Sequence, residues 1–147
     1  MSQRHDDAFR NIRREHDDAV APLKQAKVVT KRGSPGVAAF DSERLDSAIA
    51  TAGDAYALLL IATSEAFLRE HLHVPSGKEQ KLSSLIDQSV KSMNCLLGYK
   101  AIGADAKREL HNLRIQRNTY AHGHGRSVFP SVPKVESIVA RFLHDFP

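Results

Sequence analysis

Leu113-Arg114-Ile115-Gln116-Arg117-Asn118-Thr119-Tyr120-Ala121-His122-Gly123 reads as the last turns of a helix that stops at a glycine, the residue most often found just past a helix end. Counting back from Gly123, the residues Ala106, Leu110, Leu113, Arg117, Tyr120 and Ala121 recur at helical spacing and predict one buried face. Arg117 therefore stands where an apolar side chain is expected. A guanidinium keeps its proton, so burying one requires an acidic partner or a cleft shared with an anion. His122 lies roughly 140° around the helix from Arg117, at about 100° per residue. It falls in the last turn, where the partial negative charge of the helix end favours a cationic side chain.

Working outward, the chain upstream predicts a long helix from Asp41, its N-cap, to about His73, with Glu43 in the first turn and Gly53 as a place for a bend. From Ala55 to Leu72 this helix is apolar on most sides, which marks it as the centre of a bundle. Glu65 interrupts the stripe Leu58, Ile61, Leu68, Leu72, and a carboxylate there needs a partner. Arg117 is one candidate, and Arg69, four residues on, is the other. Val74-Pro75-Ser76-Gly77 breaks the chain, and Ser76 with Glu79 fits a capping box. A third helix follows through Leu82, Leu85, Ile86, Val90, Met93 and Leu97, with Cys95 expected as a small buried hydrophobe. Residues 98–103 connect it to the Arg117 helix, which starts at Asp105.

Downstream of Gly123, His124-Gly125-Arg126-Ser127 forms a basic turn that either closes over a bound phosphate or only joins two helices. Ser131 and Pro133 open the last helix, whose apolar face is Val135, Ile138, Val139, Phe142, Leu143 and Phe146. At the other end, residues 2 to about 27 predict an amphipathic helix on Ala8, Phe9, Ile12, Ala19, Val20 and Leu23, which Pro22 should end or kink. Val28 to Phe40, centred on Lys31-Arg32-Gly33-Ser34-Pro35-Gly36, reads as a basic linker. No β-alternation, hairpin signal or internal repeat is present. The expected fold is all-α: an up-and-down four-helix bundle over residues 41–147, preceded by an N-terminal helix and linker over 1–40, in one globular unit.

At 147 residues the chain is long enough for one domain with a real core, and 41% hydrophobic against 26% charged residues is an ordinary globular balance. The single Cys excludes an intrachain disulfide, and no Cys/His spacing matches a zinc site. The absence of Trp and the few other aromatics argue against a base-stacking platform. The charged N-terminus lacks the apolar core of a secretory signal, and the longest apolar run, Ala55 to Ala62, is too short to span a bilayer, so a cytoplasmic location is expected. The net charge of +4 is uneven: Lys100, Lys107, Arg108, Arg114, Arg117 and Arg126 stand against Asp105 and Glu109 in the segment that also holds His111, His122 and His124. Such a concentration suits a polyanion such as RNA.

An Arg and a His at one helix end can serve a phosphodiester without a metal. The guanidinium offers a fork of donors to non-bridging oxygens and stabilises charge in the pentacoordinate state. The imidazole can move a proton to or from a ribose or leaving oxygen. Asn118 is placed to donate to the phosphate or to orient His122, Tyr120 reads as a packing residue with its hydroxyl at the rim, and Arg114, His124 and Arg126 are candidate substrate contacts.

Arg117-Asn118, three residues, then His122, at the end of a penultimate helix, resembles the signature of the HEPN superfamily: Arg, a polar residue that is often Asn, and His four to six positions after the Arg. The helix around Ser64-Glu65-Ala66-Phe67-Leu68-Arg69-Glu70 is also similar to that family's second core helix. The likeness runs over residues 41–147 in helix order, and residues 117–122 match the motif. Arg10-Asn11 and His16 satisfy a loose form of it too, but in a highly charged helix that reads as a solvated face. The resemblance implies a dimer with the two motifs facing each other. It implies metal-independent cleavage of single-stranded RNA by 2′-OH attack, leaving a cyclic phosphate, in a toxin or defence setting. The implied partners are RNA, a second copy of the chain and, for a toxin, an antitoxin protein, with no cofactor and no membrane. A subgroup paired with nucleotidyltransferase antitoxins has Tyr two residues after the motif His, where this chain has His124. Other family members are non-catalytic modules that bind nucleotide, RNA or protein, and this is the alternative reading. A third is a plain structural bundle in which Arg117 only pairs with Glu65.

Overall fold

The computed structural model describes residues 3–30, 35–75, 77–97, 102–123 and 129–146, with the backbone alone over 35–40. Five helices, α1 (Gln3–Thr30), α2 (Pro35–His71), α3 (Leu82–Leu97), α4 (Ala104–Ala121) and α5 (Val132–Leu143), make an all-α bundle with no strand among the described residues. α2 touches each of the other four helices, and no other helix does so among the described residues. α1 runs antiparallel to α2, with His5 against Phe67 and His16 against Tyr56. α4 is antiparallel to α5, joined by Tyr120–Phe129 at one end and Glu109–Arg141 nearer the other. α5 runs alongside α2 in the same direction: Pro130 and Val132 approach Gly53 and Phe146 meets His71.

The core is built largely from the apolar stripes that periodicity picks out, except that in α2 Leu60 is fully buried while Leu58 and Leu72 of the expected stripe are only half-buried. Leu60, Ile61 and Leu68 of α2 are fully buried against Leu85 and Ile86 of α3, Leu110 and Leu113 of α4, and Val135, Val139, Phe142 and Leu143 of α5. Phe9 and Ile12 bring α1 into the same cluster. α4 ends as expected: His122 is its C-cap and Gly123 takes φ 77°, a left-handed conformation that costs glycine nothing. α5 begins at Ser131 with Pro133 in its first turn.

Several elements differ from the sequence expectation. α1 does not stop at Pro22 but continues to Thr30, because one lost backbone hydrogen bond is outweighed by packing along α2. α2 starts at Pro35 rather than being capped by Asp41; Ser34-Pro35 is itself a helix-start signal. The linker shrinks accordingly, and Lys31–Ser34 lies outside the described residues. α3 begins at Leu82, not after a capping box: Arg69 donates to the carbonyls of Lys78 (3.2 Å) and Gln80 (2.9 Å) and holds that segment out of a helix. Ser76 and residues 98–101 lie outside the described residues. Cys95 is exposed, as are Leu96 and Leu97, since the last turn of α3 extends beyond its neighbours. Ala19, Tyr120 and Ala121 are exposed although they sit at core-facing spacing.

One stretch among the described residues, Asp41–His71, is long and apolar enough by length and composition to cross a membrane, yet only 22% of that window is buried. The reason is a second apolar face. Ala55, Leu59, Ala62 and Ala66 point away from the core, and Leu59 is 43% exposed.

Candidate functional site

Arg117 continues the Ala106–Leu110–Leu113 stripe of α4 and so points toward α2. There its Nη1 donates to Glu65 Oε2 at 2.7 Å. Arg69, one turn along α2, donates to the other oxygen, Oε1, from Nη2 at 3.0 Å and Nε at 3.3 Å. Both partners considered for Glu65 are thus engaged at once. The carboxylate side chain is 16% exposed, whereas that of Arg117 is 38% exposed. Two guanidiniums on one carboxylate leave a formal excess of one positive charge. Arg117 spends only Nη1 on Glu65, and its Nε and Nη2 have no partner among the described residues. Those two nitrogens form the edge a planar oxyanion can approach.

The remaining candidates surround this pair unevenly. His122 is exposed at the C-cap; its backbone N–H bonds to Asn118 O at 3.2 Å, and its imidazole has no partner among the described residues. By helical spacing it lies roughly 140° around α4 from Arg117. Asn118 is exposed beside them. Tyr120 is exposed, with its ring tilted against Phe129 at 5.6 Å, a surface packing contact rather than a core position. Arg114 is half-buried, with Nε buried and unpartnered among the described residues. His124 and Arg126 lie outside the described residues. No group of three or more His, Cys, Asp or Glu side chains close enough to hold a metal occurs among the described residues.

Further along α4, Lys107 and His111 converge on Asp87 of α3 at 2.7 and 3.3 Å. The hydrogen bond from Lys107, with a smaller one from His111, holds the Asp87 carboxyl below its ordinary range. Two cationic residues that sequence reading assigned to a basic surface are therefore tied to an acid. The clamp of Arg69 on residues 78 and 80 had no periodic signal, because it joins a helix to an irregular segment. Comparison with protein-family models, curated proteins and solved structures finds no match to this chain.

Proposed function

We propose that the chain is a metal-independent endoribonuclease of the HEPN type, acting on single-stranded RNA at a site shared by two copies in a toxin or defence setting in the cytoplasm. The observation that carries this reading is the cationic Arg69–Glu65–Arg117 cluster. Glu65 fixes one edge of the Arg117 guanidinium and leaves the other facing outward. A guanidinium held this way is preorganised for a non-bridging phosphate oxygen and stabilises charge that develops in the transition state. His122 supplies the exposed imidazole for proton transfer on the ribose 2′-OH, and Asn118 a neighbouring donor.

Since one chain offers too few groups for the acid and base roles together, the composite site takes Arg117 from one copy and His122 from the other. The outward stripe Ala55, Leu59, Ala62 and Ala66 borders Glu65 on α2, and exposed Ile115 lies on the outer side of α4. These apolar surfaces support a homodimer joined beside the motif.

The test is cleavage of single-stranded RNA in excess chelator. Cutting should persist, spare the matching DNA, stop at a single 2′-deoxy substitution, and leave a 2′,3′-cyclic phosphate. Arg117→Ala and His122→Ala should each abolish it. Exposed His122 should be replaceable at a cost below ~0.5 kcal/mol, so that variant's melting temperature stays put. Equal cutting of DNA, or a requirement for magnesium, would discard the mechanism. The second reading is a non-catalytic module that binds nucleotide, RNA or a protein partner. RNA binding without cutting, unchanged in the double variant, would establish it.

A further inference from the structure

Where the start of α1 meets the ends of α2, α3 and α5, a cleft of about 680 Å³ opens on a part of the molecule that the RNA site does not use. Phe67, Phe146, Leu96 and the imidazoles of His5 and His71 wall it, with Arg4, Glu70 and His73 at the lip. The His5 ring lies 4.0 Å from Phe67, and the His71 ring meets Phe146 edge-on at 4.8 Å. His5 is only 8% exposed. One nitrogen of each imidazole, Nδ1 of His5 and Nε2 of His71, is buried with no hydrogen-bond partner among the described residues.

A buried N–H without an acceptor is a costlier defect than a buried lone pair without a donor. Each ring therefore carries its hydrogen on the other nitrogen, His5 Nε2 and His71 Nδ1, and both histidines line the cleft. His73 adds a second oddity. It occupies the position just past α2 with φ 52°, where its N–H bonds to Glu70 O and that of Val74 to Arg69 O, a place glycine normally takes. That strained residue is held at the lip. Arg4 and Glu70 bond each other at 2.8 Å and cancel, so three imidazoles line the cleft with no further carboxylate among the described residues of its lining. The volume lies within the range of about 300–1,000 Å³ common for small-molecule sites.

We propose that this cleft binds a small aromatic anion, an aryl carboxylate or sulfonate, with its ring against Phe67, Phe146 and Leu96 and its charged group on the N–H donors of His5 and His71. Flat ring walls select the ring, and the donors at their edge select the acid. Burial depresses both imidazoles. Around His5, Glu70 and Asp6 oppose that trend while Arg4 and the amino terminus reinforce it; beside His71, His73 reinforces it. Among the described residues, α3 and the segment after α5 bring Ser92, Leu96 and Phe146 to the lining, none of them charged. A bound anion favours the protonated rings, so affinity rises as pH falls, by at most about tenfold per unit for each proton taken up.

The test is a titration of the isotope-labelled full chain with 2-naphthoate, following backbone amides and imidazole nitrogens by NMR. Shifts should concentrate at residues 4–5, 67–73, 92–96 and 146, and binding should strengthen from about pH 7.5 to about pH 6. Neutral 2-naphthol and the non-aromatic anion hexanoate should each bind at least about tenfold more weakly. Leu96 is 69% exposed, so Leu96→Glu keeps the fold and should weaken naphthoate by about tenfold or more through repulsion and lost contact. Val29→Glu, at an exposed apolar position near the other end of α1, should leave it unchanged. Shifts centred elsewhere, equal binding of 2-naphthol, or indifference to Leu96→Glu would each overturn the proposal, and the wild-type titration decides the first two without any variant.

Discussion

Around Glu65, two guanidiniums share one carboxylate, and removing different members should cost different amounts. Glu65→Gln leaves Arg69 and Arg117 facing each other at a largely buried position without a counter-charge, and should destabilise by about 1–3 kcal/mol. Arg117→Ala leaves Glu65 still neutralised by Arg69, and because Arg117 is partly solvated the cost should stay near or below ~1 kcal/mol. Denaturant titration of the two variants gives the order directly. The reverse order would mean that Arg117, not Glu65, is the hub of the cluster. The sequence made Glu65 and Arg117 visible as charges on apolar stripes. It left their pairing open between two partners, because helical spacing cannot show that a carboxylate's two oxygens serve two arginines on different helices.

At the scale of the element, α2 has two apolar faces and only one of them is covered among the described residues. Leu60, Ile61 and Leu68 fill the core while Ala55, Leu59, Ala62 and Ala66 look outward. If the outward stripe is where two copies meet, Leu59→Glu should convert a dimer to a monomer while leaving the helical circular dichroism intact. Sedimentation at micromolar concentration reads the difference, and a wild-type monomer under those conditions would remove the support for a shared site. Periodicity gave the order of the helices and the buried faces of α3, α4 and α5, since each has a single stripe. It misjudged ends that depend on distant contacts. Arg69 delays α3, packing along α2 carries α1 past Pro22, and the last turns of α3 and α4 leave Cys95, Tyr120 and Ala121 exposed among the described residues.

For the whole molecule, acid sensitivity follows from His5 and His71. Burial lowers both from an ordinary value of 6.5, so the unfolded chain takes up those protons before the native protein does. Their contribution is therefore complete above about pH 6.5 and is lost as pH falls from there through the depressed native values. The melting temperature should drop between about pH 7.5 and about pH 5.5, and His71→Phe should flatten that slope. A slope unchanged by His71→Phe would assign the acid sensitivity elsewhere. Asp87 acts in a separate window: its carboxyl is depressed from 3.8, so what it contributes is kept above that value and lost in stronger acid.

The seat of α1 against α2 also bears on how the chain is made. Synthesis delivers α1 before α2, so the long central helix leaves the ribosome with one partner already waiting, through contacts such as Phe9 on Phe67 and His16 on Tyr56. The flank of α2 that α5 will cover stays bare until the last helix emerges, some sixty residues later, and the core closes only when Phe142 and Leu143 arrive. During that interval the nascent chain carries its longest greasy surface half-clothed, and the amino-terminal helix is the part of the molecule that keeps it company.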